Sequence, residues 1–280
     1  MDIRLTLSDL GQLLARGEYA AMLQRCSDLL ENPTLPVNYR VLLLDQKIKA
    51  LTGLNRVDEA IATCQEELPL MEQLFDPEHP HVANILHNLS MYLGASNRHE
   101  EALPYSEREL AIVRKHAKGS SREADALVSL AEHVYELSRF AEADTILKEA
   151  LALYERNEGR RSLGVSTCLN NLGRSSENQG RNEEGVTYLE EAASIREELL
   201  GVHPDSAFTL LNYGTALAAT GQYLKAAQTL AHCAALYEAL QLSDSPYAAA
   251  ARKNLDICAS ALNPAAPETT LAGGCSSCHL

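Results

Sequence analysis

The chain has 280 residues, 46% of them hydrophobic but only 5% aromatic and none Trp, which calls for a core of Leu, Ala and Ile. A formal net charge of −14 argues against nucleic acid or an anionic membrane as partner, since both need clustered Lys and Arg. No run of 18 apolar residues is present, and Met1-Asp-Ile-Arg-Leu-Thr-Leu-Ser-Asp9 lacks a basic and then apolar leader, so the chain reads as cytoplasmic with reduced thiols.

Along the chain, one helix-turn-helix phrase recurs. A degenerate copy, Gly17-Glu-Tyr-Ala-Ala21, comes first. Five clearer ones follow: Asn55-Arg-Val-Asp-Glu-Ala60, Asn97-Arg-His-Glu-Glu-Ala102, Ser138-Arg-Phe-Ala-Glu-Ala143, Gly180-Arg-Asn-Glu-Glu-Gly185 and Gly221-Gln-Tyr-Leu-Lys-Ala226. Their starts are 42, 41, 42 and 41 residues apart. Such a period signals stacked helix pairs, each burying its apolar face only against its neighbours.

The fourth unit shows the grammar best. Residues 162–179 form a first helix, Gly180-Arg-Asn182 a turn, and 183–200 a second helix. Gly at the turn supplies the left-handed backbone that a helix C-terminus favours, with Asn next best and Ser poorer. The sixth phrase position (Ala60, Ala102, Ala143, Gly185, Ala226) is small because two helices cross there.

Leu89, Leu130, Leu172 and Tyr213 recur eight residues before the turn, followed by the small residues Ser90, Ala131, Gly173 and Gly214. Leu70, Ile112, Leu153, Ile195 and Leu236 recur fifteen residues after it, and all three columns read as core. Cys26, Cys64, Cys168, Cys233 and Cys258 fall in helical patterns and read as small buried hydrophobes. His79-Pro80 and His203-Pro204 read as helix starts, with His as a capping residue and Pro at the first position.

Ser245-Pro246 opens one more helix over 246–262, whose exposed Arg252, Lys253 and Asp256 suit a terminal cap. Residues 263–274 then read as a flexible linker and 275–280 as a Cys/His-containing tail.

These residues resemble tetratricopeptide repeats of the 42-residue kinesin-light-chain type. His79-Pro-His-Val-Ala-Asn-Ile-Leu-His-Asn-Leu-Ser-Met-Tyr92 follows the family phrase H-P-x-V-A-x-x-L-x-N-L-A-x-x-Y, and Asn170-Asn-Leu-Gly173 and His203 to Gly214 also match. The resemblance implies an all-α right-handed superhelix over residues 1–262, with six helix pairs and the capping helix. The first unit is short, and the third lacks both the His-Pro opening and the Gly.

Nine residues before each turn stands a polar residue: Gln46, Asn88, Ser129, Asn171 or Asn212. The resemblance implies that this slot hydrogen-bonds an extended peptide in a concave groove, which suits an amide because it donates and accepts. The alternative is that these amides bridge adjacent helices. The same register places Asn84, His87, Met91, Asp125, Glu132, Asn170 and Arg174 nearby, a mixed set without the clustered Lys and Arg of a carboxylate clamp.

The tail Cys275-Ser-Ser-Cys-His279 leaves several chemistries open: c-type haem attachment, a soft metal on Cys275, Cys278 and His279, a reversible thiol pair, or no role. Gly273-Gly274 before it also looks like the junction between a leader and a modified core peptide. No nucleophile–base pair or phosphate loop stands out, so no catalysis and no cofactor are expected, a tail metal aside. The reading is therefore a non-catalytic scaffold binding a protein or peptide. Its alternative is a carrier whose tail is enzymatically modified or holds a metal.

Overall fold

A computed structural model describes residues 3–263, with side chains from Thr6 onward. Those residues form thirteen α-helices and no strand. They fall into two compact units, divided in the chain between Lys118 and Gly119.

The first unit holds α1 (Ile3–Ala15), α2 (Tyr19–Leu30), α3 (Val37–Gly53), α4 (Val57–Leu74), α5 (Pro80–Ala95) and α6 (His99–Ala117). The second holds α7 (Ser121–Glu136), α8 (Phe140–Glu158), α9 (Leu163–Asn178), α10 (Asn182–Leu200), α11 (Pro204–Ala219), α12 (Tyr223–Ala239) and α13 (Pro246–Leu262). Within each unit every helix packs on the next. The repeat period is thus a succession of antiparallel helix pairs.

The turn inside each pair explains the phrase. Gly17, Asn55, Asn97, Ser138, Gly180 and Gly221 all have φ between 54° and 76°. The residue after each donates its N–H back to the last turn of the first helix, as in Arg56 to Leu51, Arg98 to Leu93, Arg139 to Val134 and Arg181 to Ser176. This bond satisfies a carbonyl that the helix end would leave bare. Gln241 makes the same left-handed cap at the end of α12, with Leu242 N–H on Tyr237 O, at a position that carries no Gly or Asn signal.

Helix starts follow the expected chemistry. His79 and His203 accept the N–H of His81 and Asp205 on Nδ1 (3.1 Å each), with Pro at the first helical turn. Ser120, Ser162 and Ser245 cap α7, α9 and α13 through their hydroxyls.

The small column sets how closely paired helices approach. A Cβ on Gly214 would lie 2.6 Å from Leu230 Cγ, so only hydrogen fits there. Ala60, Ala102, Ala143 and Ala226 at the crossing are fully buried. Ile112, Ile195 and Leu236 are core, whereas Leu70 and Leu153 are half-buried because the adjacent Met71 and Tyr154 turn inward. The five cysteines are buried. Burial pushes the thiol of Cys26 up to about 11 and those of Cys168 and Cys233 to about 12, which keeps them protonated and inert.

In the second unit the first helices form an inner layer. The backbones of α7 and α9, α9 and α11, and α11 and α13 approach closely, while those of α8, α10 and α12 stand farther apart, α10 and α12 meeting through long side chains such as Glu190 and Lys225. Closer spacing on one side means that this unit curves around its first helices. Buried Arg196 of α10 ties the layers: Nε donates to Ser166 Oγ, Nη1 to Thr209 Oγ1 and Asp205 O, and Nη2 to Thr167 Oγ1.

Candidate peptide-binding face

The inner layer of the second unit brings together part of the expected column. Asn171 on α9 is half-buried; its Oδ1 accepts from Asn170 Nδ2 (3.2 Å), and among the described residues its own amide N–H groups donate to no protein group. It borders a small, largely enclosed pocket of about 10 Å³ with Ala131, Glu132 and Tyr135 of α7, Leu147 of α8 and Arg174 of α9.

Arg174 is held in place rather than free. Its guanidinium sits 4.7 Å above the Tyr135 ring and its Nη2 lies 3.5 Å from Glu136 Oε1. Tyr135 OH accepts from Asn178 Nδ2 (2.6 Å). Glu177 closes the group; burial pushes its carboxyl up to about 7, against the pull of Arg174. The result is a rigid patch with cation, amide and aromatic ring side by side.

Two other amides serve a different purpose. Asn212 and Asn170 are both buried, and Asn212 Nδ2 donates to Asn170 Oδ1 (3.0 Å) between α11 and α9. Asn254 of α13, also buried, repeats the motif by donating to Thr215 Oγ1 of α11 (3.0 Å). For Asn170 and Asn212 the geometry is the bridging alternative. An amide lying against an adjacent first helix is consumed by that helix.

Ser129 of α7 is half-buried, and exposed Asp125 accepts from Tyr154 OH. In the first unit, Gln46 Nε2 donates to its neighbour Asp45 (3.1 Å), Asn84 and Met91 are exposed, and Asn88 is half-buried. His87 Nδ1 lies 3.2 Å from Glu109 Oε1, a carboxylate buried on α6. Gln46, Asn84, His87 and Asn88 therefore belong to one unit, and Ser129, Asn170, Asn171, Arg174 and Asn212 to the other. Tyr135, Glu136 and Asn178 do not stand out in the sequence because they occupy no repeating column. Tyr135, an aromatic on the last turn of a first helix, is the one available signal.

Among the described residues no group of three or more His, Cys, Asp or Glu could hold a metal, and no helix is long and apolar enough to cross a membrane. Cys275, Cys278 and His279, with the proposed linker, lie outside the described residues.

The tetratricopeptide repeat model matches residues 42–115, 122–177 and 175–239, well over half the chain. The chain belongs to the tetratricopeptide repeat family. Its helix pairs also superpose on solved members of that architecture. A kinesin light chain-like protein from Podosopora anserina, with nearly identical TPR-like repeats, gives a TM-score of 0.59 at 20% identity, covering 72% of this chain and 97% of that one. The apo form of the quorum sensor NprR from B. thuringiensis gives 0.72 at 11% identity, covering 92% and 70%. NprR in complex with its cognate peptide NprX gives 0.63 at 10% identity, with the same coverage. At such identities the likeness is one of fold. No curated protein matches the sequence.

Proposed function

We propose that this tetratricopeptide repeat protein is a non-catalytic, cytoplasmic scaffold whose inner first-helix faces bind an extended segment of a partner protein. The observation that carries the reading is Asn171. Among the described residues its N–H groups donate to no protein group, and it stands beside Glu132, Tyr135 and Arg174 at the rim of a small pocket. An amide so placed can donate to a peptide carbonyl, while the Arg174–Tyr135 stack offers a flat, preorganised neighbour. Asn88, Asn84 and His87 are the corresponding contacts of the first unit. That NprR is found with a cognate peptide supports peptide capture on this fold.

Asn170 and Asn212 support the face from behind. The test is partner capture followed by binding measurements on Asn171→Ala, Arg174→Ala and Asn212→Ala. Loss of affinity for the first two, with the helical fold retained and a smaller fall in melting temperature for Asn171→Ala than for Asn212→Ala, is expected. Unaltered affinity for both would remove the inner face of the second unit as the binding surface.

A further inference from the structure

The second unit carries a cleft of about 440 Å³ on its second-helix side, between α10 and α12. Its floor is Leu210 and Tyr213 of α11, and its walls include Ala193 of α10 and Thr229 of α12. The preceding repeat shows what fills the equivalent place there. One period earlier, Tyr188 of α10 packs on the cluster of Ala131, Leu147 and Leu172 beside Ile146 and Leu151, over α9 and toward α8. Its hydroxyl donates to Glu184 Oε1 of the same helix (3.1 Å).

By the phrase register, Thr229 stands where Tyr188 stands, both eight residues after the turn. Ala193 likewise stands where Leu151 stands, thirteen residues after it. Two large side chains have thus become small in successive repeats, and Tyr213 in place of Leu172 returns only part of the volume.

Charge narrows the occupant further. Lys225 Nζ reaches Glu190 Oε1 across the cleft (2.7 Å), Tyr213 OH donates to that same oxygen (2.9 Å), and His232 Nδ1 lies 3.1 Å from Glu197 Oε1 at the other end. Lys225 and Glu190 are already paired at one end and His232 lies against Glu197 at the other, so a charged ligand would have to displace an existing partner. A neutral ring fits between them on the apolar floor.

We propose that the α10–α12 cleft is a second docking site, which receives a neutral aromatic side chain, Tyr or Phe, from a partner protein. The ring takes the position that Tyr188 takes one repeat earlier. This site lies on the opposite side of α11 from the amide bridge to α9 and is independent of the peptide-binding reading.

The test uses the full chain, isotope-labelled, and N-acetyl-tyrosinamide as probe at millimolar concentration. Ring-current shifts centred on the amides of Ala193, Tyr213 and Thr229 are expected, and they should be absent with N-acetyl-alaninamide. Thr229→Tyr, which supplies the ring from the chain itself, should abolish the shifts, and Ala193→Leu should do so should the first variant fold poorly. Asn171→Ala should leave them intact. No shifts at the cleft, equal shifts from the alanine probe, or shifts that persist in both filled variants would each overturn the proposal.

Discussion

Gly173 of α9 and Leu189 of α10 meet so closely that a Cβ on the glycine would lie 2.5 Å from Leu189 Cγ. The same offset of sixteen residues joins Gly214 to Leu230, and it also separates Ala131 from Leu147 and Ser90 from Ser106. Volume is balanced in the Gly173–Leu189, Gly214–Leu230 and Ala131–Leu147 pairs, small on the first helix where the second helix is large, whereas Ser90 and Ser106 are both small.

That balance makes Gly173→Ala costly although Ala favours helix by about 1 kcal/mol. Overpacking costs about 1–3 kcal/mol, so a net loss is expected. Leu189→Ala alone leaves a cavity and costs about 2–5 kcal/mol. The double variant should be less destabilised than the sum of the singles, read by urea denaturation. Strict additivity would show that the two side chains do not share one space.

Turn chemistry predicts the opposite sign at Ser138, whose φ of 61° is carried by a side chain poorly suited to it. Ser138→Gly should raise stability by up to about 1 kcal/mol, the typical cost of left-handed backbone for a residue with a Cβ. Gly180→Ala, at φ 74°, should lower it by a similar amount. Thermal melts of the two variants check the pair.

Burial predicts a pH dependence in the first unit. Glu67 of α4 is 1% exposed with Oε2 lacking any hydrogen bond. Burial, with Asp45 adding to it and Lys49 opposing, pushes its carboxyl up to about 8 from 4.5. The folded state therefore holds a proton that the unfolded chain releases above its ordinary value. Stability from this group is complete below about pH 4.5, erodes as pH rises, and is gone above about pH 8. Glu67→Gln should flatten the fall in melting temperature between pH 6 and pH 9, and an unchanged slope would place the titration elsewhere.

The two kinds of amide should separate experimentally. Asn212→Ala leaves buried Asn170 Oδ1 without its donor and should cost about 1–3 kcal/mol. Asn171→Ala removes the acceptor of Asn170 Nδ2 from a half-buried position and should cost less, about 1 kcal/mol. Comparing chemical denaturation of the two variants tests whether position in the column or burial decides the role.

The last helix should act as an end cap. Ala248, Ala251 and Cys258 of α13 share one buried cluster with Leu236 and Tyr237 of α12. Truncation after Leu242 uncovers that cluster and should lower the melting temperature or cause aggregation, while truncation after Asn263 should do neither. Light scattering and a melt of each truncation would show it.

Much of this molecule was legible in one dimension. The 41–42-residue step, the left-handed turn at Asn55, Asn97, Ser138, Gly180 and Gly221, the His-Pro helix starts and the small column ending at Gly214 are local or periodic demands. Each unit repeats the same backbone geometry, so periodicity alone discloses them. What the column could not disclose is which amides stay available. Asn171 and Asn212 hold the same slot, yet Asn212 is turned onto Asn170 of the neighbouring helix while, among the described residues, the N–H groups of Asn171 donate to no protein group. Likewise, Thr229 is an ordinary helix residue until α10, α11 and α12 enclose the cleft it lines. The period lies in the chain, because every pair must pack on its neighbour; the role of a given polar side chain depends on what that neighbour brings within 3 Å of it.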